Sequence, residues 1–181
     1  MCTQNISFKN FLIKKKKLVL KKYLNQILNE KNQVISSLSK SYKDSFNKKN
    51  TKYFNKKFDY RIIGMGGSTL GAQAIYDFLK KKIKKKFIFV DNLNALENKK
   101  EKKNLNNLII SKSGNTTETI VNANILIKKK DKNLFITEKK ESYLSLLAQK
   151  LKAEVVDHNN YIGGRYSVLS EVGMLPAELM G

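Results

Sequence analysis

Residues 111–119 read Ser-Lys-Ser-Gly-Asn-Thr-Thr-Glu-Thr and are entered from three apolar residues, Leu108, Ile109 and Ile110. Ile120, Ala123 and Ile127 follow at helical spacing, so the stretch reads as strand, tight loop, helix. Asn115 and Glu118 stand three apart, the spacing of a capping box, and place the helix start there. Such a start offers unpaired N–H groups and the positive end of a dipole, and it suits an anion. Ser111, Ser113, Thr116 and Thr117 add small donors that can approach a phosphate closely, and Lys112 can supply charge. An ordinary strand-to-helix turn rich in Ser and Thr has the same composition, and spacing alone does not separate the two.

Two further stretches carry chemistry. Gly163-Gly164-Arg165-Tyr166-Ser167 combines paired glycines, which let a backbone turn tightly or approach a ligand, with an arginine that stays charged at any working pH. That arginine either donates to an oxyanion or anchors its loop through a surface carboxylate. Gly64-Met65-Gly66-Gly67-Ser68-Thr69-Leu70-Gly71 begins like a dinucleotide fingerprint, but the third glycine position holds Thr69. Asp91, at the end of the next apolar run, keeps a nicotinamide cofactor among the readings. No Walker A pattern is present, because Lys112 precedes its glycine.

These loops need elements to hold them. Apolar runs at 60–63, 87–90, 108–111, 134–136 and 155–156 predict five short strands. Helical patterns separate them: one with Leu70, Ala74, Ile75, Phe78 and Leu79 inward, one from 120, and one at 143–151. Alternation of this kind predicts a parallel sheet covered on both faces. Ligands in such sheets sit beyond the carboxyl ends of the strands, where both the 64–71 and 111–117 loops fall. Before the sheet, residues 1–58 hold 15 lysines against Glu30 and Asp44. Leu20, Leu24, Ile27 and Leu28 share one helical face, as do Val34, Ile35, Leu38 and Tyr42, and two amphipathic helices are expected. Residues 47–57 read as a polar, basic connection. At the other end Val168, Leu169, Val172, Leu175 and Leu179 are apolar over more than one face, as expected of a helix covered by chain beyond residue 181.

Composition bounds the function class. A chain of 181 residues with 41% hydrophobic content can bury a real core, as one domain with an appendage. The net charge of +21 would raise nucleic acid or an anionic surface. Yet Arg61 and Arg165 are the only arginines, and readers of nucleic acid favour arginine for bidentate contacts. The lysines read as solvated faces under a compositional bias, and no specific nucleic-acid partner is expected. Cys2 is the single cysteine, which excludes an intrachain disulfide and fits a reducing compartment. No run of about 18 apolar residues predicts a spanning helix, and 11–13 are interrupted by lysines where a signal peptide would stay apolar. A cytoplasmic protein without a membrane partner is the expectation.

Taken together and in this order, the 64–71, 111–119 and 163–167 stretches resemble the glucose-6-phosphate isomerase family. The resemblance covers residues 58–181, and more loosely the arm before them. It implies an α/β three-layer sandwich, with a central parallel sheet of about five strands in flavodoxin-like order. Residues 58–181 would be a first sugar-isomerase domain and 1–57 an N-terminal helical arm. The implied reaction interconverts glucose 6-phosphate and fructose 6-phosphate in glycolysis and gluconeogenesis. It needs neither metal nor organic cofactor, in a cytoplasmic homodimer of the full-length form. By the same resemblance Ser111, Lys112, Ser113 and Thr116 hold the substrate phosphate, and Gly67 and Ser68 line the site. Arg165 would stabilise the enediolate. The family's proton-shuttling Glu, ring-opening His and late Lys lie beyond the arginine motif and match nothing in 1–181. His158, the only histidine, is read as a loop or surface residue. The chain is therefore expected to be part of a longer isomerase, inactive alone and prone to association. Two other readings stay open: a stand-alone sugar-phosphate-binding regulatory domain, and a nicotinamide- or nucleotide-binding module.

Overall fold

The computed structural model describes residues 18–30, 32–54, 59–93, 105–128 and 130–181; the Cys2 reading lies outside them. In chain order the elements are α1 (Leu18–Asn29), α2 (Gln33–Ser37), α3 (Lys48–Phe54), β1 (Tyr60–Gly64), α4 (Leu70–Leu79), β2 (Phe87–Val90), β3 (Asn106–Ile110), α5 (Thr117–Leu126), β4 (Lys132–Thr137), α6 (Tyr143–Leu151), β5 (Glu154–Asp157) and α7 (Glu171–Met180). Short 3₁₀ turns at Gly66–Ser68 and Gly164–Leu169 precede α4 and α7.

All five strands run parallel in the order β2-β1-β3-β4-β5. The sheet and its flavodoxin-like order are as expected. β1 and β3 are buried along their whole length, as central strands covered on both faces should be. Successive side chains point to opposite faces. Tyr60, Ile62, Leu108, Ile110, Leu134 and Ile136 therefore join one core with Phe54 of α3, Ala72 of α4 and Val172, Leu175 and Leu179 of α7. Ile63, Ile109 and Phe135 join the other with Ala123 and Leu126 of α5 and Leu144 and Ala148 of α6.

Four local expectations are corrected. Much of the terminal segment is covered by this chain itself: Val172, Leu175, Leu179 and Met180 are buried against its own sheet and α4, while Leu169 stays 50% exposed. The inward face of α4 is rotated by one position. Ile75 packs on the core as expected, but Phe78 is 88% and Leu70 58% exposed, while Ala72 is buried and Tyr76 packs on the core. The cause is a close approach of the Gly164–Leu169 turn, since a methyl group at Gly71 would lie 2.7 Å from the Val168 side chain. The 47–57 connection holds a helix over 48–54: Asn47 accepts from the Lys49 N–H at 2.8 Å and Phe54 is fully buried. The second arm helix is short. α2 is capped by Asn32, whose side chain accepts from the Val34 N–H, and it ends at Ser37. Tyr42 lies beyond it. α1 forms as expected, but Leu20, Leu24, Ile27 and Leu28 stay exposed among the described residues. None of the described helices is long and apolar enough to cross a membrane.

Candidate functional site

Because β1 lies between β2 and β3, the winding direction reverses there. The connection through α4 leaves β1 on one face of the sheet, and the connection through α5 leaves β3 on the other. Such a switch point opens a crevice outside the carboxyl ends of the two strands. Gly64 and Ile110, the last residues of β1 and β3, are register partners. A methyl group at Gly64 would stand 2.8 Å from the Ile110 carbonyl oxygen. The 64–71 and 111–117 loops therefore leave the sheet side by side.

The 111–117 loop is held by its own polar groups. The Ser111 N–H donates to the Ile136 carbonyl at 3.1 Å, continuing the sheet ladder one step. The buried Ser111 hydroxyl lies 2.9 Å from that of Thr116. The Gly114 N–H donates to the Ser111 carbonyl at 3.1 Å, and Gly114 takes the positive φ of 69° that a tight return requires. A side chain there would also strike Ser142, whose hydroxyl would lie 2.1 Å from an added methyl. The Ser113 hydroxyl accepts from the Asn115 N–H at 3.2 Å. α5 then begins at Thr117 with Thr116 as N-cap. Its first turn presents N–H groups with no intrahelical partner, together with the Thr119 hydroxyl, buried and without a hydrogen-bond partner.

The Asn115–Glu118 capping box does not form. No side chain caps α5, and Asn115 turns away to accept the Tyr143 N–H at 2.9 Å. The reciprocal box occurs instead at α6, between Ser142 and Ser145. Lys112 is likewise drawn aside. Its ammonium donates to the Asn160 carbonyl and stands 3.7 Å from Glu138, which Lys140 also pairs. Lys112 thus faces the β4–β5 side in this structure, and its backbone remains in the loop.

The third loop meets the first directly. A methyl group at Gly67 would lie 2.2 Å from the Gly164 carbonyl oxygen, so the two backbones touch where neither residue has a side chain. The Ser167 hydroxyl donates to the Gly67 carbonyl at 3.1 Å and to that of Gly164 at 2.8 Å. Ser68 sits half-buried in the same turn. Arg165 is exposed beside this contact, and no carboxylate among the described residues pairs with it.

His158 lies in a loop, as expected, but not on the surface. It is buried, with its Nδ1 against the Glu171 carboxylate and its Nε2 3.1 Å from the Ile162 carbonyl. The second Glu171 oxygen accepts from the Tyr42 hydroxyl at 3.0 Å, and Tyr42 in turn accepts from the Asn159 amide at 3.0 Å. Burial alone would raise the Glu171 carboxyl. The His158 hydrogen bond, its own backbone N–H, the His158 charge and Tyr42 outweigh that and hold it below the ordinary carboxylate range. Burial, with the Glu171 charge, pushes the Tyr42 phenol up. Nothing in the spacing of a lone His, Glu and Tyr signals this network. No group of three or more residues suited to a metal ion occurs among the described residues.

A family model for phosphoglucose isomerase matches residues 11–181. The glucose-6-phosphate isomerase of Acholeplasma laidlawii is 38% identical over 141 residues, 66% of this chain and 33% of that protein. That of Mycoplasma genitalium is 36% identical over 144 residues, 68% of this chain and 32% of that protein. This chain thus spans about a third of the length of these curated relatives. The tagatose-6-phosphate ketose/aldose isomerase of Escherichia coli shares the fold, with a TM-score of 0.54 at 16% identity, over 91% of this chain and 43% of that one. The family match takes in all three crevice loops and both cores, and the chain belongs to the phosphoglucose isomerase family.

Proposed function

We infer that this chain supplies the phosphosugar-binding part of an aldose–ketose isomerase that interconverts glucose 6-phosphate and fructose 6-phosphate. The observation that carries the reading is the meeting of three loops at one switch point: 111–117 beside 64–71, and Gly67 against Gly164 with Arg165 exposed next to it. Ser111, Ser113 and Thr116, with the backbone N–H groups of Lys112 and the first turn of α5, hold the phosphate. Gly67 and Ser68 line the sugar. Arg165 meets the negative charge that develops when a proton leaves the carbon beside the carbonyl, and a fixed guanidinium there lowers the barrier. The reaction on this reading needs no metal or organic cofactor. Residues 58–181 form the first sugar-isomerase domain and 1–57 its helical arm. With the reading go a cytoplasmic setting in glycolysis and gluconeogenesis and a dimeric longer form.

A base must carry the proton between adjacent carbons, and a positioned one contributes ~10²–10⁴-fold. Glu171 is committed to His158 and Tyr42, and Glu138 to lysines. Glu118 remains at the crevice, in the first turn of α5, and the family resemblance gives it no part in proton transfer. Residues 1–181 alone are expected to bind and not to turn over. The test is thermal shift of 1–181 with fructose 6-phosphate, glucose 6-phosphate, NAD and ATP, because a ligand that binds only the folded state stabilises it. Stabilisation by the sugar phosphates alone supports the reading; stabilisation by NAD or ATP instead overturns it. In a coupled isomerase assay, turnover that is lost in Glu118→Gln would make Glu118 the base.

A further inference from the structure

The Arg165 loop carries two glycines and is tied down by one side chain of its own, Ser167, whose hydroxyl reaches the Gly67 and Gly164 carbonyls, yet a guanidinium that meets a transient charge must be held still at both ends of its loop. Its ends are held from below. The His158 backbone N–H donates to the Thr137 carbonyl at 2.8 Å, which fixes His158 at the end of β4. From there the ring reaches forward to the carbonyl of Ile162, the residue immediately before Gly163-Gly164. Its other nitrogen grips Glu171, the first residue of α7, on the far side of the loop. His158, Ile162 and Glu171 are all buried. Both ring nitrogens face oxygen atoms, so the ring is held at two points. The network continues into the arm through Tyr42 and Asn159, with Asp44, Tyr161 and Glu178 as the further ionisable groups close enough to influence it.

We propose that His158 and Glu171, braced by Tyr42 of the N-terminal arm, are positioning residues: a buried latch across the base of the Arg165 loop that sets how well the guanidinium meets charge on a bound sugar phosphate. The proposal rests on the reading of Arg165 given above. It makes the arm part of the site's machinery, since a hydroxyl more than a hundred residues away in sequence holds the carboxylate that holds the ring. None of the three residues touches substrate. Each acts through the loop backbone.

The experiment uses residues 1–181 and two probes. Inorganic phosphate reports the cradle alone. A phosphorylated aldonohydroxamate, a planar charged mimic of the enediolate, reports the cradle plus Arg165. Wild type should prefer the hydroxamate, and Arg165→Ala should abolish that preference. His158→Gln and Tyr42→Phe should reduce it by about tenfold and about threefold, with phosphate affinity unchanged, because small misplacements of a positioned group carry large penalties. Amide hydrogen exchange at 164–167 should speed up in both variants, as expected when a locally stabilised segment opens more often. Leu126→Val, which loosens the core on the opposite face of the sheet, serves as a stability control and should alter neither readout.

Unchanged preference and unchanged exchange in both variants, with Arg165→Ala still effective, would overturn the latch. So would equal changes in Leu126→Val at matched thermal stability. A wild type with no hydroxamate preference and no response to Arg165→Ala would overturn the reading of Arg165 and the latch's role in binding with it. Should His158→Gln fail to fold, Tyr42→Phe removes a single hydroxyl and decides alone.

Discussion

The loop at 111–117 is tied down by short-range, mostly neutral hydrogen bonds: Ser111 to Thr116, Gly114 to Ser111 and Leu144, Asn115 to Tyr143. The loop at 163–167 hangs instead from the Ser167 hydroxyl, a buried His158–Glu171 contact, a backbone-to-backbone contact and a tyrosine of the arm. Both border one crevice. Many modest bonds make the first insensitive to any single loss. The second depends on a few buried groups, each of which becomes costly when its partner is removed.

The largest effect tests that contrast. Glu171→Ala leaves the buried His158 ring and the Tyr42 hydroxyl without their acceptor and should cost about 2–6 kcal/mol, from about 1–3 for each orphaned buried group. Thr116→Ala should cost about 0.5–1.5 kcal/mol, that of one ordinary hydrogen bond. Urea unfolding of the two variants makes the comparison, and equal losses would break it.

Next comes chemistry. In a longer, active form of this chain, Arg165→Lys should lower turnover by ~10²–10³-fold with little change in KM, because a charge without the planar fork fails mainly in the transition state. Steady-state kinetics showing normal turnover and a raised KM would leave Arg165 with a binding role alone. In the other loop, Ser113→Ala combined with Thr116→Ala should weaken fructose 6-phosphate binding about tenfold, on the scale of ~1.4 kcal/mol per decade. Unchanged affinity by calorimetry would take the phosphate away from 111–117.

The smallest effect is one of pH. Glu171 holds its proton less tightly in the folded chain than in the unfolded one. Its stabilisation is therefore present above the ordinary carboxylate range and drains as pH falls through that range toward the folded value. Asp44, raised by burial and by the charges of Glu171 and Glu178, pulls the other way. Thermal melts of wild type should lose stability from roughly pH 5 downward, and Glu171→Gln should flatten that slope. An identical slope in Glu171→Gln would place the acid sensitivity elsewhere.

Where a signal is local, the sequence carried it. Four apolar residues at Phe87–Val90 and a period-3.6 pattern at Tyr143–Leu151 are the observed β2 and α6. The hydroxyl and glycine loops lie at the strand ends where ligands of parallel sheets bind. The capping box failed for a physical reason: Asn115 had a competing donor in the Tyr143 N–H, which only the packing of α6 on the loop supplies. The face of α4 was misread because hydropathy favoured Leu70 and Phe78, while closeness to the Gly164–Leu169 turn favours Gly71 and Ala72.

By itself, then, the sequence determined the parallel α/β class, the three loops and the polarity of the crevice, because period, glycine and hydroxyl content act within a few residues. Tertiary structure alone decided what each buried polar group meets. Lys112 turns to Glu138, Arg165 meets no carboxylate among the described residues, and His158 finds Glu171 and, through it, Tyr42. It also decided that α7 is covered by this chain's own sheet while α1 keeps its apolar face exposed among the described residues. Amphipathic periodicity states that a helix has a face to bury. Which surface receives it depends on the three-dimensional neighbours, and residues far apart in the chain carry no local mark of becoming partners.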